Sequence, residues 1–343
     1  MSQLERGKVA VIVINYNGKQ HIARCLQSIL DQTYKSIETV AVDNASTDGS
    51  LEIIHQNFPQ IKLIQTGYNA GWGIACNVGI AATQSEYIAL LNNDAFMDKN
   101  CIAEMVKSIN LNPHYGSCAS RILLWDNPKV TEVCGLVIYK DGSSCGRGRL
   151  THADTYLTTE EVFCANDCCC LYRREMINDI GDYDPDFFIY CDETDMGWKH
   201  QIAGWKCIYT PRAIAFHAHS QTAGSYSILK AFHVERNRLY ICIKYLPTLH
   251  FILSFPYSMI RYLSQLYFSV FKKKGALSNF QKEHSLLTGL WILIRAHVAA
   301  FMKFPKMWKK RKELQKIKRI SNRELVALFD RFGITTRQIA SYE

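Results

Sequence analysis

The octapeptide Tyr87-Ile88-Ala89-Leu90-Leu91-Asn92-Asn93-Asp94 decides how this chain is read. Five apolar or small residues end abruptly in three short polar ones. That is the pattern of a buried strand delivering polar groups to its C-terminal edge. In open α/β sheets that edge is where ligands sit. Asp94 is also a hard oxygen donor of the kind a divalent cation takes beside substrate phosphates. Alone, a strand ending in Asn-Asn-Asp is more often just a turn, so the reading rests on what surrounds it.

Upstream, the same arrangement recurs. Val9–Asn15 (VAVIVIN) is a run of β-branched residues that reads as a buried strand. It stops at the turn residues Asn15-Tyr16-Asn17-Gly18, and a helix follows with Ile22, Cys25, Leu26, Ile29 and Leu30 on one face. Ile37–Val42 predicts a second strand, ending in the polar loop that starts at Asp43, before a helix carrying Leu51, Ile54 and Phe58. A short third strand, Ile61–Gln65, leads to Gly71-Trp72-Gly73, which either simply enters a helix or lies near a diphosphate. Regular strand–helix alternation predicts an α/β fold with a mostly parallel, doubly wound sheet. Right-handed crossovers bring the tips at Asn15, Asp43 and Asp94 to one edge. No GxGxxG or P-loop sequence is present, so neither a dinucleotide fingerprint nor a Walker site explains that edge.

Beyond Pro113, residues 118–150 read as short strands and loops, and Phe163–Tyr172 as a strand or the start of a buried helix. Asp192 and Glu193 stand where an aromatic loop turns into a helix; acids there are also simply favourable to the helix dipole. Trp205–Tyr209 predicts a strand, then Pro211, then a segment in which His217 and His219 alternate and would face one way if it is a strand. Such a pair serves structure more often than it serves a metal.

Taken together, Val11–Asn17 (VIVINYN), Val42–Gly49 (VDNASTDG), Asn69–Gly79 (NAGWGIACNVG), Leu90–Asp94 (LLNND), Phe187–Trp198 (FFIYCDETDMGW) and Phe216–His219 resemble glycosyltransferase family 2, within it the rhamnosyltransferase-like subset. The likeness runs from about residue 8 to residue 245. It implies a GT-A fold, a nucleoside-diphosphate-sugar donor, a divalent metal (Mg²⁺ or Mn²⁺) and inversion at the anomeric carbon. The family's metal-binding position falls on Asn92-Asn93-Asp94, which makes Asp94 the metal ligand and puts Asn92 nearer the ribose or a metal-bound water. Asp43 matches the acid that recognises the base, which favours UDP or dTDP donors such as dTDP-rhamnose. Asn15, Asn17, Asn69 and Asn93 fall in the same nucleotide-binding motifs. The acidic pair of the acceptor loop is Asp192-Glu193, in swapped order; by position Glu193 takes the place of the general base, with Asp192 as the alternate. The family's histidine matches His217 better than His219. Residues 1–245 are then the catalytic domain, with a nucleotide-sugar half to about 115 and an acceptor half after it, and 246–343 is a helical appendage.

Charge and cysteines bound the setting. The net charge is +9, yet residues 272–320 hold fourteen Lys/Arg against Glu283 and Glu313, a local +12 that leaves −3 elsewhere. Apolar residues recur at three and four in Met259–Phe271 and Leu287–Met302, flanked by Lys272-Lys273-Lys274 and Lys309-Lys310-Arg311-Lys312. Pro256 and Arg261 interrupt the first run, so both read as amphipathic rather than spanning. They lie on an anionic membrane surface, or they pack on the catalytic domain with a solvated basic face. Nucleic acid is not the expected partner, since none of its usual modules is present. Thirteen scattered cysteines form neither a zinc spacing nor a disulfide framework, which suits a reducing cytosol. Residues 1–14 lack the features of a signal peptide. The expectation is a cytoplasmic enzyme, peripheral on the inner face of the membrane, extending a glycan or polyprenyl-linked acceptor. A non-catalytic sugar-nucleotide-binding protein would lack the acids at 192 and 193. A nucleotidyltransferase would want a Gly-rich, basic loop after the first strand, where Lys19 is the one lysine.

Overall fold

The computed structural model describes residues 4–218 and 226–342; His219 lies outside the described residues. The chain forms two compact units, residues 1–136 with 146–222, and residues 137–145 with 223–343.

In the first unit the order is β1 (Glu5–Asn15), α1 (Ile22–Leu30), β2 (Ile37–Asp43), α2 (Ser50–Asn57), β3 (Lys62–Gln65), α3 (Trp72–Ala81), β4 (Ser85–Asn92), β5 (Ala95–Met97), α4 (Cys101–Ile109), β6 (Tyr115–Leu124) and β7 (Thr131–Val133). After the excursion β8 (Leu136–Ile138) and β9 (Ser144–Gly146) come β10 (Glu160–Val162), β11 (Cys169–Arg173), α5 (Arg174–Ile180), α6 (Asp192–Ile202) and β12 (Lys206–His217). The sheet runs β10-β12-β6-β11-β4-β1-β2-β3. β1 is flanked by the parallel strands β2 and β4, so Val9–Val13 are wholly buried, which explains its unbroken apolar run. Small residues on α3 let it lie close to the sheet: a Cβ on Gly79 would come within 2.4 Å of Ile12 Cγ2.

Three local expectations change. On α1, Ile22, Cys25, Leu26 and Ile29 are buried but Leu30 is exposed. Of residues 163–172, Cys169–Tyr172 are in strand β11, antiparallel between β4 and β6, while Phe163–Cys168 are loop, buried except for the half-buried Asn166. The strands expected on either side of Pro211 are one strand, β12. Its ladder to β6 is irregular between Tyr209 and Ile214, and its other neighbour changes from β10 to β5. Proline, with no N–H to donate, sits in that break. All thirteen cysteines are free, and eleven are buried.

The second unit comprises the hairpin β8/β9 with α7 (Ile228–Tyr245), α8 (Thr248–Tyr267), α9 (Ala276–Phe280), α10 (Leu286–Met302), α11 (Phe304–Leu314), α12 (Asn322–Phe332) and α13 (Thr336–Ala340). The division expected at 245 falls at the end of α7, which belongs here because α10 and α11 pack on it. Its centre is ionic. Asp141 accepts from Arg261 Nε at 2.6 Å and lies 3.8 Å from Arg238 Nη1, while Glu235 pairs with Arg238 and with Arg261 Nη2 at 3.0 Å. Burial opposes ionisation of both acids, but the two guanidiniums outweigh it and hold Asp141 and Glu235 below the carboxylate range. Arg238 is used inside this network. Arg261→Ala would strand buried carboxylate charge, at a cost of about 3–5 kcal/mol. Chemical denaturation of the full chain should show that drop; an unchanged midpoint would refute the network's role. Among the described residues no single helix is long and apolar enough to cross a membrane, although α10 and α11 together, across a 60° bend, have that length and apolarity.

Candidate active site

Parallel register brings the polar strand tips into a row. Asn15 pairs with Asp43 across β1 and β2, and Ile14 pairs with Asn92 across β1 and β4. Asn15 Nδ2 donates to Asp43 Oδ1 at 2.8 Å, and Asn93 Nδ2 donates to Asn15 Oδ1 at 3.1 Å. Asp43 is buried, and its Oδ2 takes the Ser46 N–H at 3.0 Å. Asn17 adopts the left-handed region, φ 51°, and its Oδ1 accepts from the Thr47 N–H at 2.9 Å. Asn69 Oδ1 accepts from Asn44 Nδ2 and from the Gly71 N–H, both at 3.1 Å. These asparagines therefore tie the edge loops to one another, while Asn92 sits half-buried in the row. A carboxylate has about four acceptor positions, so Asp43 keeps capacity beyond its two bonds.

Next to this row, the far end of β12 meets the turn after β4. His217 Nε2 is 3.0 Å from Asp94 Oδ1, and His217 Nδ1 is 2.8 Å from Glu132 Oε2 on β7. All three side chains are about nine-tenths buried. Burial opposes ionisation of Asp94, but the hydrogen bond and charge of His217 hold its carboxyl below the usual range. For His217, burial opposes the charged form, whereas the Cys168 sulfur, Glu132 and Asp94 favour it and raise the imidazole well above its ordinary value. Sequence reasoning had no hold on Glu132. A single acid on a three-residue strand carries no spacing signal, and only the fold sets it beside His217.

The second acidic centre is at the start of α6. Phe188, Tyr190 and Cys191 all have positive φ (68°, 66° and 62°), an unusual backbone for bulky residues that costs of order 1–3 kcal/mol each. The Phe188 carbonyl accepts from the Trp72 N–H at 2.7 Å, and Gly71, φ 82°, leaves no room for a Cβ there: its nearest neighbour would be that carbonyl at 2.3 Å. A Cβ on Gly73 would meet Asp192 Oδ1 at 3.2 Å. Asn44 Nδ2 also reaches the Gly71 carbonyl at 3.2 Å, so the start of α3 lies between the Asp43 loop and Asp192.

The two acids differ in surroundings. Asp192 is 2% exposed, and neither carboxylate oxygen has a hydrogen-bond partner among the described residues. Burial above all, then the charges of Glu193, Asp167 and Asp195, push its carboxyl well above the usual range. Glu193 is only half-buried. Asp167 was not singled out from the sequence. It is buried beneath Trp72, Tyr172 and Tyr183, and accepts from their Nε1 (3.3 Å) and hydroxyls (2.6 and 2.8 Å).

Asp94 and His217 could hold a divalent cation between them with the imidazole in its neutral form, since a ligating histidine must give up its proton. Both donors are buried and face each other, and the imidazole is braced at its other nitrogen by Glu132, the arrangement typical of a metal-binding histidine. Among the described residues no group of three or more His, Cys, Asp or Glu side chains could hold a metal by itself. A site with two protein ligands leaves room for oxygens from elsewhere.

Comparison with known proteins agrees with this architecture. The family model described as "Glycosyl transferase family 2" matches residues 10–181, half of the chain. The N-acetylglucosaminyl-diphospho-decaprenol L-rhamnosyltransferase of Mycobacterium tuberculosis is 25% identical over 249 residues, which is 65% of this chain and 80% of that protein. The poly-beta-1,6-N-acetyl-D-glucosamine synthase of Staphylococcus epidermidis is 22% identical over 218 residues, 63% of this chain and 51% of that one. Among solved structures, the mannosyltransferase PcManGT from Pyrobaculum calidifontis, in complex with GDP-Man and Mn²⁺, superposes with a TM-score of 0.54 at 17% identity, covering 91% of this chain and 86% of that one. GalNAc-T7 with UDP, GalNAc and Mn²⁺ gives 0.58 at 16% identity, with 87% and 58% covered. With its GT-A fold and a family match over half its length, the chain belongs to glycosyl transferase family 2.

Proposed function

We propose that the chain is an inverting, metal-dependent transferase that moves a sugar from a pyrimidine nucleoside diphosphate (UDP or dTDP, with dTDP-rhamnose a leading candidate) to a hydroxyl of a lipid-linked glycan at the inner face of the cell membrane. The observation that carries the reading is the pairing of Asp94 with His217 beside the Asn15–Asp43 row, with Asp192 of α6 lying against Gly73 at the start of α3.

In this reading Asp43 accepts the N3–H of a pyrimidine base, and Asn15, Asn17, Asn69 and Asn93 keep its loop in place. Asp94 and His217 would hold Mg²⁺ or Mn²⁺, which when bound neutralises charge developing on a diphosphate leaving group. Glu132 keeps the His217 ring oriented toward Asp94. The acceptor oxygen attacks the anomeric carbon as the bond to the diphosphate breaks, and the electron pair leaves with the phosphate. Glu193 takes the proton of the attacking hydroxyl. Asp192 is not given this role, because burial disfavours the charged form that a base must have, whereas Glu193 is only half-buried, and neighbouring carboxyls with diverging environments divide such roles. The L-rhamnosyltransferase relative, whose name contains a diphospho-decaprenol, supports a polyprenyl-linked acceptor.

The test is a hydrolysis and transfer screen over UDP- and dTDP-sugars with Mn²⁺, Mg²⁺ or chelator. Metal-dependent turnover of a pyrimidine donor, with the opposite anomeric configuration in the product, is expected. Retained configuration, or donor binding without turnover for every sugar and acceptor tried, defeats the proposal.

A further inference from the structure

Two helices of the second unit are turned inside out. On α8 the buried side chains are Ser254, Ser258 and Arg261, and Arg261 is held there by Asp141 and Glu235. Its apolar residues point away: Leu249, Ile252, Met259 and Leu263 are each more than half exposed, and Phe271, in the π-type turn that extends the helix, is 72% exposed. On α10 the buried stripe is only Ile292, Ala296 and Ala300, while Leu287 (77%), Trp291 and Phe301 (79%) face outward. The apolar stripes at three-and-four spacing are therefore the outer faces, not the packing faces. Of the twenty-nine large apolar side chains exposed among the described residues, nineteen lie between 249 and 302. Scattered exposed leucines need no explanation, but a concentration like this marks an interaction surface.

Charge indicates what covers it. Lys272, Lys273 and Lys274 are exposed at the end of the α8 face, and Lys303 and Lys306 are exposed just past α10. Apolar faces bordered by lysine suit the boundary between acyl chains and anionic headgroups.

We infer that the outward faces of α8 and α10 lie in the interfacial layer of an anionic phospholipid bilayer, with their apolar side chains in the acyl boundary and the flanking lysines among the headgroups. The inference rests on exposure within the second unit and does not depend on the transferase reading. It deepens that reading by supplying a lipid surface on which a lipid-linked acceptor would be met.

The experiment is sedimentation of the full chain with vesicles of phosphatidylcholine, with and without phosphatidylglycerol, at low and high salt. Stronger binding to anionic vesicles is expected, with salt removing only the charge-dependent part. Leu263→Glu and Phe301→Glu, each at an exposed position, should lower partition by about tenfold each, with melting curves that show the fold intact. Absence from both vesicle pellets overturns the inference. So does equal binding by wild type and both variants. Sedimentation velocity supplies the remaining outcome: if the glutamates dissociate a wild-type dimer while vesicle binding is absent, a second copy of the chain covers these faces instead.

Discussion

Glu193→Gln is expected to lower turnover by roughly 10²–10⁴-fold, the range a positioned general base supplies, with donor affinity in divalent metal unchanged. The amide nearly preserves shape and some hydrogen bonding but cannot take a proton from the attacking hydroxyl. Rapid-mix single turnover against a titration of donor binding separates the two quantities. Asp192→Asn is the control that gives the experiment its direction. A buried carboxyl whose charged form is disfavoured loses little on becoming an amide, so that variant should keep most of its turnover. Were the pattern reversed, with Asp192→Asn inactive and Glu193→Gln active, the roles would exchange. Stability offers an independent reading. Asp192 holds its proton more tightly folded than unfolded, because its folded pKa is raised. Between its unfolded and folded pKa values the native state binds more protons, so its contribution to stability falls as pH rises through that window. Asp192→Asn should remove that slope.

What could be read from the chain, and what could not, divides on a physical line. Continuous apolar runs such as Val9–Val13 and Tyr87–Leu91 are legible because a parallel strand covered on both faces must be apolar throughout. The polar residues that end them, Asn15, Asp43 and Asn92, share one sheet edge in the structure because parallel register leaves them no other place. Asp94 and His217 are 123 residues apart in sequence. They were paired only through family resemblance, and the structure brings them within hydrogen-bond distance. Glu132 and Asp167 were illegible because each is a lone acid in a passage of short strands and loops, with partners set by tertiary packing alone. The C-terminal helices illustrate the opposite limit. Periodicity located their apolar stripes correctly, yet it cannot say which face turns inward, because the same pattern suits core and lipid alike. Arg261 decides it. A guanidinium bound between Asp141 and Glu235 rotates α8 so that its leucines face outward.

Asp94→Ala is expected to abolish metal-dependent donor binding, a loss of roughly 10²–10³-fold for removing one charged ligand to a cation that is itself worth several kcal/mol. With Asp94 and His217 as the protein's two ligands, deletion of the carboxylate leaves an imidazole alone, and neutral imidazole does not retain Mg²⁺ or Mn²⁺ against water. Isothermal titration of UDP and dTDP with Mn²⁺, Mg²⁺ and chelator reads the effect directly, without requiring an acceptor. Donor affinity of the variant should match that of wild type in chelator and should not respond to added metal. Glu132→Gln supplies the graded comparison. It leaves both ligands in place but weakens the bond that orients the His217 ring, so metal affinity should fall by about 10–100-fold rather than vanish. If Asp94→Ala binds nucleotide in metal as wild type does, residue 94 leaves the site. The Asp94–His217 pair would then be a buried ion pair that joins the end of β12 to the turn after β4, and its loss would register in the melting temperature and nowhere else.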